Sequence, residues 1–454
     1  MIEETTGPAV TQATPGSLLP RLLALLTGPG LRQSVVMFVA TSLANLLDYG
    51  YNVAMGRMLS AGGYGVLVAL QALLQIVSVS LVVVRTVTAR YAAEFMTRGQ
   101  MARAGVFFRG ALRAMALWGL AATFLVGAFS GPFAGLLQIP SAVSVLVVAA
   151  ALLPMMLKPV AEGALQGLQR FAALGTIQIA HAAFRLLLGV LLVKLGLDAV
   201  GALAALPVGT VGTVALGLLL LGGILWQRAD TPHKVAPANL TRYTGATMVA
   251  LVSFAILVNM DALVVKHYFS PVKAGHYSMA VTLGKIVIFL PAAFAVVLFP
   301  KSAERHVQRR DSSRLLRLSL AATLLLCAGL AVAYFAAPDL ILSIVFDVEN
   351  PFSGPVMGLV SLAMTGYALV NVWLNYFLSV ERTGFVYIMP IAVVVQFALL
   401  ALFHASLVHV ATLVMLTSAG LLIVAEIWFY LEKIHRPQSA RDMEENGSVP
   451  NHTL

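Results

Sequence analysis

Twelve runs of about twenty mostly apolar residues follow one another along the chain, at 34–56, 64–86, 106–130, 141–161, 172–194, 199–225, 243–266, 275–299, 315–337, 354–379, 384–404 and 408–431. A helix needs roughly 20 apolar residues to cross the hydrocarbon of a bilayer, so each run reads as a transmembrane span. The polar segments between them test the count. With the N-terminus inside, the inner loops hold Arg90, Arg98 and Arg103, then Arg170, then Arg228, Lys234 and Arg242. They continue with Lys301, Arg305, Arg309 and Arg310, then Arg382, then Lys433 and Arg436. The outer loops and helix ends hold only Arg57, Lys194, Lys266 and Lys273; segment 131–140 is uncharged, and 338–353 is acidic through Asp339, Asp347 and Glu349. Cations concentrate in cytoplasmic loops, and one missed or invented span would scramble this alternation. The pattern predicts an even number of spans with both termini cytoplasmic.

A repeat lies within the pattern. Ala61-Gly62-Gly63-Tyr64 and Ala274-Gly275-His276-Tyr277 stand at the same distance beyond Asp48 and Asp261, without gaps. The aspartates belong to spans one and seven. An even number of intervening helices gives two halves of the same orientation, a parallel repeat. The expected fold is therefore all-α and membrane-embedded, with about twelve transmembrane helices in two six-helix lobes around a central cavity. The division runs as a cytoplasmic arm 1–31, an N-lobe 32–225, a linker 226–241 carrying Pro232 and Pro237, a C-lobe 242–435 and a disordered tail 436–454. Residues 1–30 do not read as a cleavable signal peptide, because Glu3 and Glu4 replace the usual cations and Leu22–Leu26 is too short.

Composition agrees with lipid as the solvent. Of the 454 residues, 59% are hydrophobic and 11% charged, and mean hydropathy is +0.90. A soluble domain carries about 25% charged residues. The net charge of +10 would suggest nucleic acid in a soluble protein. Here the cations sit in short loops, where they report topology and meet anionic headgroups, so no nucleic-acid partner is expected. The one cysteine, Cys327, has nothing to pair with and reads as a small hydrophobe. His404 and His409 lack nearby carboxylates or thiols and make a poor metal site. No cofactor is implied.

Charges at membrane depth carry the most information. Each costs about 2.5–3.5 kcal/mol at mid-helix, so it should face protein or a water-filled cavity. Lys285 and Arg185 fall near the midplane of spans eight and five, with His181 one turn before Arg185. The sequence offers no obvious buried acid to match them, which suits an anionic substrate; the plainer alternative is a packing partner, a carboxylate or carbonyl. Arg85, near the inner end of span two, has no evident local partner and could grip an entering headgroup. Lys158 and Glu162, one turn apart, read as an intrahelical pair. Gln71 and Gln75 share a face of span two and could hydrogen-bond a sugar, or merely another helix. Asp48, Asp261 and Asn259 lie in the outer thirds of spans one and seven. Asp48 could pair with Arg57 and Asp261 with Lys266; the sharper alternative is an ion-coupling site or an outer gate.

No Gly-x-x-x-x-Gly-Lys-Ser/Thr, His-Glu-x-x-His or Gly-x-Ser-x-Gly pattern occurs. The acidic Asp347-Val348-Glu349 could in principle serve a membrane glycosyltransferase or polymerase, although the chain has no large outer loop.

The stretch Gly56-Arg57-Met58-Leu59-Ser60-Ala61-Gly62-Gly63-Tyr64-Gly65 resembles the Gly-Arg-x-Leu-x-x-x-x-Tyr-Gly signature of polysaccharide flippases, the O-antigen-type members of the multidrug/oligosaccharidyl-lipid/polysaccharide exporter superfamily. Gly163 to Phe171 resembles their Gly-x-x-x-Gly-x-x-Arg-Phe loop, and Asn259-Met260-Asp261 with the second Ala-Gly-x-Tyr resembles the opening of their second half. The resemblance spans roughly residues 32–435. It implies alternating-access transport, across a bacterial cytoplasmic membrane, of undecaprenyl-diphosphate-linked oligosaccharide from inner to outer leaflet. The diphosphate would meet Lys285, Arg185 and Arg85. The implied partners are this lipid-linked anionic saccharide, membrane lipids, and a polysaccharide polymerase or other envelope-assembly protein. A cation-coupled multidrug antiporter of the same fold remains the first alternative.

Overall fold

The computed structural model describes residues 29–227, 241–289, 313–349, 355–380 and 384–434. Its helices, in chain order, are α1 (Pro29–Met58), α2 (Ala61–Thr97), α3 (Met101–Ala128), α4 (Ser130–Leu136), α5 (Ala142–Gly167), α6 (Phe171–Leu192) and α7 (Asp198–Leu225). They continue as α8 (Thr241–Tyr268), α9 (Pro271–Phe289), α10 (Ser313–Ala336), α11 (Pro338–Phe346), α12 (Val356–Ser379), α13 (Ile388–Leu402) and α14 (Leu407–Ile434). Every run read as a span has its own helix over the described residues; 290–299, the end of the eighth run, lie outside them. Nine helical segments among the described residues are long and apolar enough to cross a membrane, one of them the joined pair Phe171–Leu225. The protein is an all-α, multi-pass membrane protein whose long apolar helices surround a central cavity. The arm before 29, most of the linker (228–240) and most of the tail (435–454) fall outside the described residues, as do the cations Lys301, Arg305, Arg309 and Arg310.

Local chemistry sets the helix boundaries. Ser60 begins α2, its hydroxyl accepting from the Gly63 N–H at 3.1 Å, and Ser141 begins α5 by accepting from Val143 N–H at 3.2 Å. Gly196, at φ +86°, turns the chain from α6 into α7. With 37 residues, α2 is about 56 Å long, far more than a bilayer's hydrocarbon, so one end must project beyond it. The sequence reading placed segments 131–140 and 338–353 in loops. Each instead contains a short helix, α4 or α11, of 7 or 9 residues, too short to register as a span.

The packing repeats. In the first half α1 lies on α6, α6 on α7, α7 on α5, and α5 on both α2 and α3. In the second, α8 lies on α13, α13 on α14, α14 on α12, and α12 on both α9 and α10. The halves meet chiefly where α2 lies against α8 and α9. Glycine makes the closest approach possible: a Cβ on Gly275 would stand 1.7 Å from the Ala61 carbonyl oxygen, and one on Gly65 3.0 Å from the Gly275 nitrogen. The two Ala-Gly-x-Tyr copies therefore lie directly against each other. Within the first half, Gly163 and Gly167 do the same for α5 on α2, where added Cβ atoms would meet the Arg85 and Ala89 carbonyl oxygens at 2.5 and 2.1 Å. This is the small-residue spacing that lets membrane helices touch backbone to backbone. Large apolar side chains such as Phe124, Leu219 and Leu325 point outward, as a lipid solvent permits.

Candidate functional site

Among the described residues, three groups of side chains contain the cations expected at membrane depth or at its inner edge. The first joins the halves. Lys285 on α9 donates from Nζ to Asn259 Oδ1 on α8 at 2.8 Å and to Gln75 Oε1 on α2 at 3.2 Å. Asn259 in turn donates to the Ala255 carbonyl at 2.8 Å, which orients its oxygen toward the ammonium. Asp261, two residues along α8, is fully buried; it accepts from Tyr277 Oη at 3.1 Å and from the Ala262 N–H at 2.8 Å. Tyr64 Oη and Thr282 Oγ1, 2.8 Å apart, add a second polar link between α2 and α9.

The second group lies in the first half. Arg185 on α6 forms an ion pair with Asp48 on α1 at 3.0 Å, and its guanidinium stands 4.1 Å over the Tyr51 ring. Tyr51 is anchored by donating to the Ala202 carbonyl at 2.8 Å. Arg185 Nε is buried and makes no hydrogen bond. His181, one turn away, lies 3.4 Å from Thr213 Oγ1.

The third group joins α2 to α5. Arg85 donates from Nε to Gln166 Oε1 at 3.0 Å and lies 3.5 Å from Glu162, which also takes Lys158 at 3.8 Å. The expected Lys158–Glu162 pair is present, with Arg85 as an additional partner.

These contacts correct several expectations. Asp48 does not pair with Arg57, nor Asp261 with Lys266, because Arg57 and Lys266 reach across to the other half. Arg57 donates to the Val345 carbonyl at 2.9 Å and to that of Ile344, at the end of α11. Lys266 donates to the Gln138 carbonyl at 3.2 Å, beyond the end of α4. The midplane cations are not without acids: Arg185 has Asp48, and Asp261 lies buried near Lys285. Arg85 has the local partner the sequence did not reveal. Helix-to-helix partners of this kind depend on relative rotation, which a single sequence does not state. Gln71 and Gln75 separate in role: Gln75 accepts from Lys285, while Gln71 Nε2 is buried without a partner. His404 stacks on Tyr268 with centroids 3.8 Å apart, and His409 bonds Ser406 at 2.7 Å. Asp347 forms the left-handed cap of α11.

Sequence comparison decides the family. The family described as "Polysaccharide biosynthesis protein" matches residues 31–306, which cover α1 to α9 and more than half of the chain. The chain belongs to this polysaccharide biosynthesis family. No curated protein matches it significantly. Among solved structures, an inward-facing multidrug resistance MATE family transporter of the MOP superfamily aligns with TM-score 0.69 and 11% identity, over 89% of this chain and 99% of that one. The lipid II flippase MurJ in an inward closed conformation aligns with TM-score 0.68 and 13% identity, over 91% and 90%. An outward-facing MATE transporter aligns with TM-score 0.54 and 13% identity, over 88% and 95%. This member of the polysaccharide biosynthesis family thus has the fold of the MOP superfamily.

Proposed function

We propose that this chain is a flippase that carries an undecaprenyl-diphosphate-linked oligosaccharide from the inner to the outer leaflet of a bacterial cytoplasmic membrane, by alternating access, for export of surface polysaccharide. The observation that carries the reading is Lys285, a cation at membrane depth whose hydrogen-bond partners are two neutral amide oxygens, in a chain of a polysaccharide biosynthesis family. A neutral partner can be exchanged for a diphosphate oxygen at little electrostatic cost, whereas a carboxylate partner holds its cation closed. By that criterion Lys285 is the principal anion ligand. Arg85, shared between Gln166 and Glu162, is an entry ligand. Arg185, neutralised by Asp48, is the least available of the three. Gln71, with its unpartnered amide, and Gln75 are suited to saccharide hydroxyls.

In the proposed cycle the two halves, 32–225 and 242–435, act as lobes, with both chain termini cytoplasmic. The headgroup enters between them past Arg85, reaches Lys285, and leaves outward after the lobes rock, while the polyprenyl tail stays in lipid. Asp261, Asn259 and Asp48 are candidates for ion coupling. A polysaccharide polymerase or another envelope-assembly protein would take the product.

The test is leaflet transfer in proteoliposomes. A fluorescent undecaprenyl-diphosphate oligosaccharide is followed by its accessibility to an impermeant quencher. A charge-assisted hydrogen bond is worth about 1.5–3 kcal/mol, so Lys285→Ala should slow transfer roughly tenfold or more while the protein still folds. Undiminished transfer by Lys285→Ala would defeat the cationic-site reading.

Two carboxylates, Asp261 fully buried and Asp48 partly exposed, favour one other reading, a cation-coupled multidrug antiporter, since both could take cations or protons. Gradient-driven efflux of organic cations, lost in Asp261→Asn, with no saccharide transfer, would establish it instead.

A further inference from the structure

The contacts at the ends of α1 and α8 form a pair that neither the family nor the proposed substrate explains. Arg57, at the end of α1, caps the last carbonyls of α11 in the other half. Lys266 and His267, at the end of α8, contact the carbonyls of Gln138 and Leu136 at the end of α4, again in the other half. Gln138 returns the bond, donating from Nε2 to the His267 carbonyl at 2.6 Å. The two arrangements correspond under the repeat: the first helix of each half caps the short helix of its counterpart. Each short helix ends at a non-glycine residue in the left-handed region, Gln138 at φ 48° and Asp347 at φ 58°. A helix end presents unsatisfied carbonyls and partial negative charge, which a cation satisfies on both counts.

The surrounding side chains reinforce the contact. Phe346 of α11 is buried against Tyr64 at 5.7 Å and fills the space over Gly56, where a Cβ would stand 2.3 Å from its ring. Lys266 is only 1% exposed. The glycine contact of Gly65 and Gly275 joins the starts of α2 and α9, the helices that follow the two capping segments in sequence. All three hold the halves in contact at this end.

We infer that Arg57 and the Lys266–His267 pair form a reciprocal clasp, each half capping the short helix of the other, and that release of both caps is the step that opens this face. The clasp holds the halves together at the α1–α2 and α8–α9 turns, the outer face in the proposed orientation. It uses main-chain carbonyls rather than carboxylates, so opening leaves no buried anion behind. The two cations are then free to take water or an exiting anionic headgroup. A better alignment with the inward-facing than with the outward-facing MATE structure accords with a closed outer face.

The experiment reads conformation rather than transport, so it stands apart from the flippase reading, and in nanodiscs it does not depend on orientation. In a Cys327→Ala background, Thr282→Cys places a thiol beneath the clasp, at a site 8% exposed and bonded across the halves to Tyr64. Labelling by a hydrophilic maleimide reports separation of α2 from α9. Arg57→Ala and the double variant Lys266→Ala/His267→Ala should each raise the labelling rate about fivefold or more, the scale of one partly buried charge at a helix end. Their combination should raise it further, and Arg57→Lys should return it most of the way. A Gly62→Cys/Pro271→Cys pair, where the Cβ atoms would stand 3.3 Å apart, supplies the control, because a disulfide there ties the same face shut. Labelling is read on the peptide that carries position 282, because reduction also frees the two engineered thiols; oxidation should suppress it there in the clasp variants, and reductant, washed out before labelling, should restore it. Unchanged labelling in the combined variant would overturn the inference. So would increased labelling that the disulfide leaves in place, since that would mean general loosening.

Discussion

Lys285 and Arg185 looked alike in the sequence, two lone cations near the midplane, and their partners separate them. Arg185 is paired at 3.0 Å with Asp48 and stacked on Tyr51. A cation so engaged stabilises helix packing, and removing either member of such a pair leaves the other partly desolvated. Asp48→Ala and Arg185→Ala should each lower the thermal unfolding midpoint in detergent, and the double variant should lose less than the sum of the two. Asp48 is 39% exposed, which limits the single-variant cost to about 1–2 kcal/mol. Lys285→Ala should show the reverse profile, a small loss of stability and a large loss of transfer. If Arg185→Ala abolished transfer at unchanged stability, Arg185 would belong among the substrate ligands.

At the scale of elements, the glycines distinguish contact from mere flexibility. Gly167 of α5 faces α2 so closely that a Cβ would lie 2.1 Å from the Ala89 carbonyl oxygen, whereas nothing lies within 4 Å of a Cβ on Gly110 of α3. Gly167→Ala should therefore push α5 from α2 and cost about 1–3 kcal/mol, with a lower unfolding midpoint. Gly110→Ala should be neutral or stabilising by about 0.5–1 kcal/mol, because alanine favours the helix. The motif containing Gly163 and Gly167 is accordingly a packing seam that carries Arg85, Glu162 and Gln166 to one place. The long helices were legible from hydropathy, which needs no partner. The short helices α4 and α11 were not, since 7 and 9 residues carry no span signal and their ends are satisfied by side chains from the opposite half.

For the whole molecule, the repeat of helix pairing is the feature on which the proposed transport by rocking halves rests. Among the described residues the halves meet chiefly where α2 lies against α8 and α9. Movement there need not disturb either bundle. Formation of the Gly62→Cys/Pro271→Cys disulfide should stop leaflet transfer, and reductant should restore it. Continued transfer with the disulfide formed would show that the cycle does not pass through separation of this face.

By itself the sequence determined the solvent and the long apolar helices, and it carried the loop-charge bias and the Ala-Gly-x-Tyr repeat as expectations of orientation and of two halves, because hydrophobic length and loop charge act locally and need no knowledge of neighbours. It also marked Lys285, Arg185, Arg85, Asp48 and Asp261 as costly in lipid, since that cost depends on depth alone. Only the tertiary structure decided which of them were matched. Asp48 and Arg57, nine residues apart, looked like partners along the chain, yet helix rotation brings Asp48 to Arg185 and sends Arg57 to α11. Whether a buried charge is held by a carboxylate, an amide or a helix end is a matter of angstroms between elements distant in sequence, and those distances are set by packing.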